Sequence, residues 1–166
     1  GLAGEALPRQ RLQSLGDGQI AVGHVRYATT GSDAALNAQP LMINHFKGRM
    51  ALAHNGNLTN SMELRRMLEE QGSIFHTTTD SEVIAYLLVR ERLRTPSIEA
   101  AVRSAMNDLE GAYSLVIASP TKLIAVRAPQ GFRPLCMGRL GKGYVFASET
   151  CALDACGAEF VRDVEP

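Results

Sequence analysis

Residues 53–60 read Ala-His-Asn-Gly-Asn-Leu-Thr-Asn, and the Asn55-Gly56 pair at their centre is the first place where chemistry is suggested. The Asn55 amide offers an N–H, and a glycine at 56 lets a backbone N–H approach a ligand closely. Two donors converging on one point make an oxyanion hole. Asn-Gly is equally the strongest short hairpin signal, so the pair alone leaves a simple turn open. Arg26 and Asp80 shift the balance. Arg26 lies at the end of a strand pattern, and an arginine fork grips a carboxylate in bidentate fashion better than any other side chain. Asp80 falls in the first turn of a helix pattern, where the dipole keeps a carboxylate ionised and able to hold an ammonium. A carboxylate clamp, an ammonium partner and an oxyanion hole are what a free α-amino acid with a reactive side-chain carbonyl requires. Thr29 offers a hydroxyl that either reaches such a ligand or satisfies the strand end. Taken singly, Arg26 reads as a surface ion-pair residue and Asp80 as part of a helix start in Thr-Thr-Asp-Ser. Their combination carries the reading.

The elements that must position these residues follow from periodicity. Residues 1–18 are polar and punctuated by glycine, with a short helix expected over 5–15. An alternating strand over 20–27 delivers Arg26, and the small polar stretch 31–37 behind it reads as a lid loop. Strands over 41–46 and 49–54 form a hairpin through Lys47-Gly48. Asn60 with Glu63, and Thr79 with Glu82, have capping-box spacing. The first opens a helix with Met62, Leu64, Met67 and Leu68 inward, closed by Gly72. The second opens a helix over 80–93 with Val83, Ile84, Leu87 and Leu88 inward. A third helix starts at Pro96, carries Ile98, Ala101, Val102, Ala105, Met106 and Leu109 at the helical period, and ends at Gly111. Strands follow over 112–118, 123–127, 135–140 and 144–148, then a short helix over 149–155 and a strand over 160–164. Strands, then helices, then strands predict a layered α+β domain with antiparallel sheets, not a βαβ array.

Composition narrows the classes. A length of 166 residues suits one domain with a sizeable core. Seventeen basic and 17 acidic residues balance, which gives no support to nucleic acid as a partner. No apolar run approaches the ~20 residues that span a bilayer, so a cytoplasmic protein without membrane partners is expected. Cys136, Cys151 and Cys156 form no disulfide framework. The C-x4-C spacing of the last two, with no nearby His pair, argues against zinc. Both are expected as small buried hydrophobes, and no metal site is assigned. Gly16-Asp-Gly18 loosely matches a dinucleotide fingerprint but leads into a strand, which rules it out. The Asn57-Leu-Thr59 sequon is discounted without a secretory signal.

Five ordered motifs carry a resemblance that covers essentially the whole chain. They are Gly23-His-Val-Arg-Tyr-Ala-Thr-Thr-Gly31, Ala53-His-Asn-Gly-Asn-Leu58, Thr79-Asp-Ser-Glu82, Gly131-Phe-Arg-Pro-Leu135 and Ala147-Ser-Glu-Thr-Cys-Ala152. Together they resemble the glutaminase domain of the amidophosphoribosyltransferase family of class II glutamine amidotransferases. Tyr27 and the last two motifs look more like this purine-synthesis branch than the hexosamine-forming one, which usually carries Trp after the arginine. The hexosamine-forming relatives and a non-catalytic glutamine-binding module are the alternatives.

The resemblance implies an N-terminal-nucleophile hydrolase fold, a four-layer αββα sandwich. It implies Arg26 for the glutamine α-carboxylate, Asp80 for its α-ammonium, and Asn55 and Gly56 for the oxyanion. Thr29 falls at a glutamine-contacting position, and residues 26–37 at the loop that closes over bound glutamine. For the parent protein it implies L-glutamine and phosphoribosyl pyrophosphate as substrates and a homo-oligomer. Mg2+ would belong to a phosphoribosyltransferase domain downstream, and an iron–sulfur cluster, present in some members, is not assigned here. The family's nucleophile is a cysteine at the mature N-terminus, and Gly1 aligns after that strand. The chain is therefore expected to be truncated at its N-terminus and to lack the second domain. As it stands, the purified chain is expected to release no ammonia from glutamine above background in a glutamate-release assay.

Overall fold

A computed structural model describes residues 3–25 and 36–166. Its first sheet is organised around β2 (Gly48–Leu58), the longest strand. β1 (Leu41–His45) pairs with β2 antiparallel from Leu41↔Leu52 to His45↔Gly48. On the other side β3 (Gly111–Ala118) pairs with β2 down its length, from Ala51↔Ala118 to Leu58↔Gly111. β4 (Leu123–Arg127) completes the order β1-β2-β3-β4. The strand expected to stop at His54 therefore runs on through Asn55 and Gly56, because β3 supplies ladder partners as far as Leu58. The hairpin-turn reading of Asn-Gly is thereby excluded.

Alternation sorts the sheet's faces. Met50, Leu52, Tyr113, Leu115 and Ile117 are at most 2% exposed and meet one helical layer. That layer comprises α3 (Ser61–Glu70), α4 (Asp80–Arg94) and α5 (Ile98–Met106). α4 contributes Val83, Ile84, Leu87 and Leu88, the inward set its period predicts. α3 buries Leu64 and Leu68 but leaves Met62 76% exposed, so its apolar stripe is narrower than expected.

The second sheet, β6-β5-β7, is built from β5 (Cys136–Leu140), β6 (Gly143–Ala147) and β7 (Glu159–Asp163). α6 (Thr150–Cys156) covers it through Leu153, which packs with Cys136, Ala158, Val145 and Ala147. The opposite face carries Met137, Tyr144 and Phe146. Across a cavity of about 560 Å3 these meet Val116 and Leu123 of the first sheet, with residues 19–23 running along it. The layers are α3–α5, sheet, sheet, α6: the αββα order expected.

Several local expectations are corrected. The helix over 5–15 is two short helices, α1 (Ala3–Ala6) and α2 (Arg9–Gln13), separated at Pro8, which disfavours helix in the residue before it. Residues 20–25 form no ladder, so the strand over 20–27 is absent where described; its last two residues lie outside the described residues. Neither capping box closes. The Asn60 side chain instead accepts from Glu110 N at 3.2 Å and donates to Asp108 O at 2.8 Å, pinning the entry to β3. Glu82 reaches past Thr79 to residues 76 and 77. α5 starts not at Pro96 but at Ile98, capped by Ser97, whose Oγ accepts from Ala100 N at 3.1 Å. It ends at Met106, and Gly111 begins β3. Cys151 and Cys156 are exposed and only Cys136 is buried, because α6 meets its sheet through Leu153 and turns both thiols outward.

Gly111 has φ +128°, and a Cβ there would run into Asn57 O and Leu58 Cα of β2. Gly111→Ala is expected to cost more than about 2 kcal/mol, through strain and lost β2–β3 pairing. Urea denaturation of the two proteins measures it.

Candidate active site

The ladder around β2 determines what its residues can offer. Beyond Leu52 β1 no longer pairs with it, so the N–H groups aimed at that side need other partners. His54 N donates to Gln39 Oε1 at 2.7 Å, and Leu58 N donates to Asp80 Oδ2 at 3.0 Å. Strand alternation turns Gly56 N–H toward the same edge, between these two. Its opposite residue on β3, Tyr113, cannot take it, since the Tyr113 carbonyl accepts from Ala128 N at 2.9 Å. Among the described residues, Gly56 N–H is the free donor between two satisfied ones.

Gly56 has φ +148°, and a Cβ there would strike Ala112 O and Tyr113 Cα. The glycine is therefore required first by the close approach of β3. The exposed N–H is a consequence of the same backbone.

Asn55 lies on the other face of the strand, toward the second sheet, opposite Ser114. No described residue hydrogen-bonds its side-chain amide. Ser114 Oγ donates to the carbonyls of Arg133 and Pro134 at 3.1 and 3.3 Å, which brings the 131–135 motif alongside Asn55. Arg127 fixes that loop: Nε donates to Arg133 O at 2.8 Å, and Nη2 to Gly131 O at 2.6 Å.

Asp80 sits at the first position of α4, with its side chain 18% exposed. Oδ2 takes the Leu58 N–H, and Oδ1 lies 3.4 Å from His54 Nδ1. Burial pushes this carboxyl up. The hydrogen bond from His54, with the N–H groups of Leu58 and Ser81, outweighs burial and holds it below its ordinary value. It is an ionised carboxylate with one open edge, two residues in sequence from no other acid but Glu82. Glu82 is itself buried and accepts from His76 N, Thr77 N and Thr77 Oγ1 at 2.9, 2.7 and 2.7 Å. Burial raises its carboxyl too, and those donors bring it below the ordinary value.

Of the sequence-predicted residues, Gly56 lies two residues from the Leu58 N–H that Asp80 holds, whereas the Asn55 side chain leaves β2 on the opposite face, toward the second sheet. Arg26, Thr29 and residues 31–35 of the lid stretch lie outside the described residues. Motif reading missed Gln39, His54 and Ser81. The one signal for them was a buried-face histidine next to Asn-Gly. Among the described residues, no group of three or more His, Cys, Asp or Glu is arranged to hold a metal ion, and no helix is long and apolar enough to cross a membrane.

Two antiparallel sheets face to face between helical layers, with a free amide donor and an ionised carboxylate at one strand edge, describe a domain of the N-terminal-nucleophile hydrolase type. Solved structures agree. Glutamine phosphoribosylpyrophosphate amidotransferase from Bacillus subtilis, complexed with ADP and GMP, aligns with TM-score 0.77 and 44% identity over 86% of this chain and 30% of that one. A structure described as the allosteric regulatory enzyme of purine biosynthesis aligns with TM-score 0.79, 44% identity and the same coverage. The family model described as glutamine amidotransferase domain matches residues 24–155, and the chain belongs to that family.

Among curated relatives, amidophosphoribosyltransferase of Methanocaldococcus jannaschii is 51% identical over 166 residues, the whole of this chain and 35% of that protein. The Bacillus subtilis amidophosphoribosyltransferase is 46% identical over 150 residues, 90% of this chain and 31% of that protein. The chain thus spans about a third of the length of the relatives it matches.

Both Asp80 and Glu82 have folded-state values below their ordinary ones. Each therefore adds stability that is complete above the unfolded value and lost as pH falls through the folded one. Glu82→Gln removes one of these contributions. Its unfolding free energy, followed by denaturant titration, is expected to fall less steeply than wild type between about pH 5 and about pH 3.

Proposed function

We propose that this chain is the glutaminase part of an amidophosphoribosyltransferase, which hydrolyses glutamine and passes ammonia to phosphoribosyl pyrophosphate in purine synthesis. The observation that carries this reading is the unclaimed Gly56 N–H, set on the same strand edge as the Leu58 N–H that Asp80 holds. Glutamine needs an oxyanion donor near its carboxamide and an anion near its α-ammonium, and this edge offers both. The names of the relatives favour the purine enzyme over the hexosamine-forming branch.

In this reading Arg26 clamps the glutamine α-carboxylate, Thr29 donates to it, and Asp80 holds the ammonium. A cysteine encoded upstream of Gly1 attacks the carboxamide carbon, and the developing oxyanion is met by the Asn55 amide and Gly56 N–H. Collapse of the tetrahedral species breaks the C–N bond and releases ammonia. Water then attacks the thioester, freeing glutamate and returning the thiol. Ammonia displaces pyrophosphate from phosphoribosyl pyrophosphate in a second domain, giving 5-phosphoribosylamine. The apolar cavity of about 560 Å3 between the sheets supports the placement of the nucleophile strand there. The gene product is cytoplasmic and homo-oligomeric, and Mg2+ serves its second domain.

In the natural gene product, Asn55→Ala is expected to lower kcat for glutamine hydrolysis about 100-fold or more, with a smaller change in KM. Asp80→Asn and Arg26→Leu are expected to raise KM for glutamine by tenfold or more, on the order of a charge-assisted hydrogen bond. Steady-state glutamate release checks all three. An Asn55→Ala enzyme with unchanged kcat overturns the oxyanion assignment.

A further inference from the structure

His54 is 4% exposed, lies on the helix-facing side of β2, and belongs to a chain of polar contacts whose directions can be assigned. His54 N–H can only donate, so the Gln39 atom 2.7 Å from it is Oε1. The Gln39 amide is thereby oriented, and its Nε2 donates to Ser81 Oγ at 3.1 Å. Ser81 Oγ, 2% exposed as a residue, lies 3.2 Å from His54 Nδ1. The same nitrogen, Nδ1, is 3.4 Å from Asp80 Oδ1. His54 Nε2 is buried and has no partner among the described residues.

The orphaned nitrogen decides the tautomer. A proton on Nε2 would bury an unpaired donor, whereas a bare Nε2 leaves only an acceptor unmade, which structures tolerate better. With the proton on Nδ1, the ring donates into the space between Asp80 Oδ1 and Ser81 Oγ. Asp80 is then fixed at two points, by Leu58 N–H on Oδ2 and by His54 on Oδ1, and keeps its solvent-facing edge free. A carboxylate has about four acceptor directions, so this leaves room for an incoming ammonium.

We infer that His54 is a positioning residue. Clamped between Ser81 and Asp80, it aims the free edge of the Asp80 carboxylate and so sets the preference for substrates that carry an α-ammonium. The inference rests on the glutamine reading above and deepens it. Gln39 and Ser81 are part of the same device. Gln39 ties the segment entering β1 to both β2 and the first turn of α4, so the aim of Asp80 is referenced to the strand that carries Asn55 and Gly56.

The test compares kcat/KM for glutamine with that for glutaramate, which is glutamine without its α-amino group, in the natural gene product. Asp80→Asn serves as reference and is expected to abolish most of the preference for glutamine. His54→Leu removes the ring donor and is expected to cut the preference about tenfold, with the loss mainly in KM for glutamine. His54→Asn, whose Nδ2 falls near the place of Nδ1, is expected to restore most of it. Ser81→Ala, which removes the ring's second partner, is expected to cut the preference about threefold, and it decides the matter if His54→Leu fails to fold. Equal losses on both substrates in His54→Leu, or an unchanged ratio in Ser81→Ala, overturn the positioning role while Asp80→Asn still loses the preference. If Asp80→Asn keeps the preference, the ammonium assignment is itself overturned, and the role of His54 with it.

Discussion

The structure depends on an unequal pairing of one strand. β2 has β3 along its whole length on one side but β1 only as far as Leu52 on the other. A strand edge left open inside a folded domain must have its N–H groups met by something else, because an unpaired buried donor is costly. Here Gln39 takes the first and Asp80 the third, and the second, on Gly56, is left over. The same arrangement sets an ionised carboxylate and, among the described residues, an unpaired donor a few residues apart. Neither would exist if β1 were longer, since its carbonyls would claim all three.

The surrounding layers keep that edge in place. The core between sheet and helices, with Ile84, Leu87, Leu88, Leu52 and Ile117 each at most 1% exposed, fixes the start of α4 against β2. Close packing of this kind does not permit small continuous adjustments, so the Asp80–Leu58 distance is set by buried side chains far from the ligand. Glu82 serves the same end from the other direction. By gathering the N–H groups of His76 and Thr77, it ties down the approach to α4 and leaves the neighbouring Asp80 free for other partners. The second sheet contributes less to this corner. Its loop over 131–135, held by Arg127 and Ser114, forms the wall beside Asn55.

Residue order and type were enough to establish much of this. The period of Val83, Ile84, Leu87 and Leu88 identified the buried side of α4, and the alternation of short strands gave the antiparallel layers. β4, expected over 123–127, matches Leu123–Arg127 in the structure. Arg26 and Thr29 fall outside the described residues, while Asn55, Gly56 and Asp80 lie within them. What motif reading got wrong has a common cause. Spacing gives Asn60 and Glu82 local capping jobs, yet both bond to segments that only the fold brings near, and the helix expected to start at Pro96 starts at Ile98 behind a Ser97 cap.

By itself, the sequence determined the family and the layer architecture, because hydrophobic period and motif order are properties of the chain read along its length. Only the tertiary structure decided that Asn-Gly lies within a strand, that Gly56 is demanded by Ala112 and Tyr113, and that His54, Ser81 and Gln39 stand behind Asp80. Ladder partners and crossed hydrogen bonds join residues 15 to 67 positions apart. Spacing along a chain carries no record of such distances; they exist once β3 has closed on β2 and α4 has docked across them.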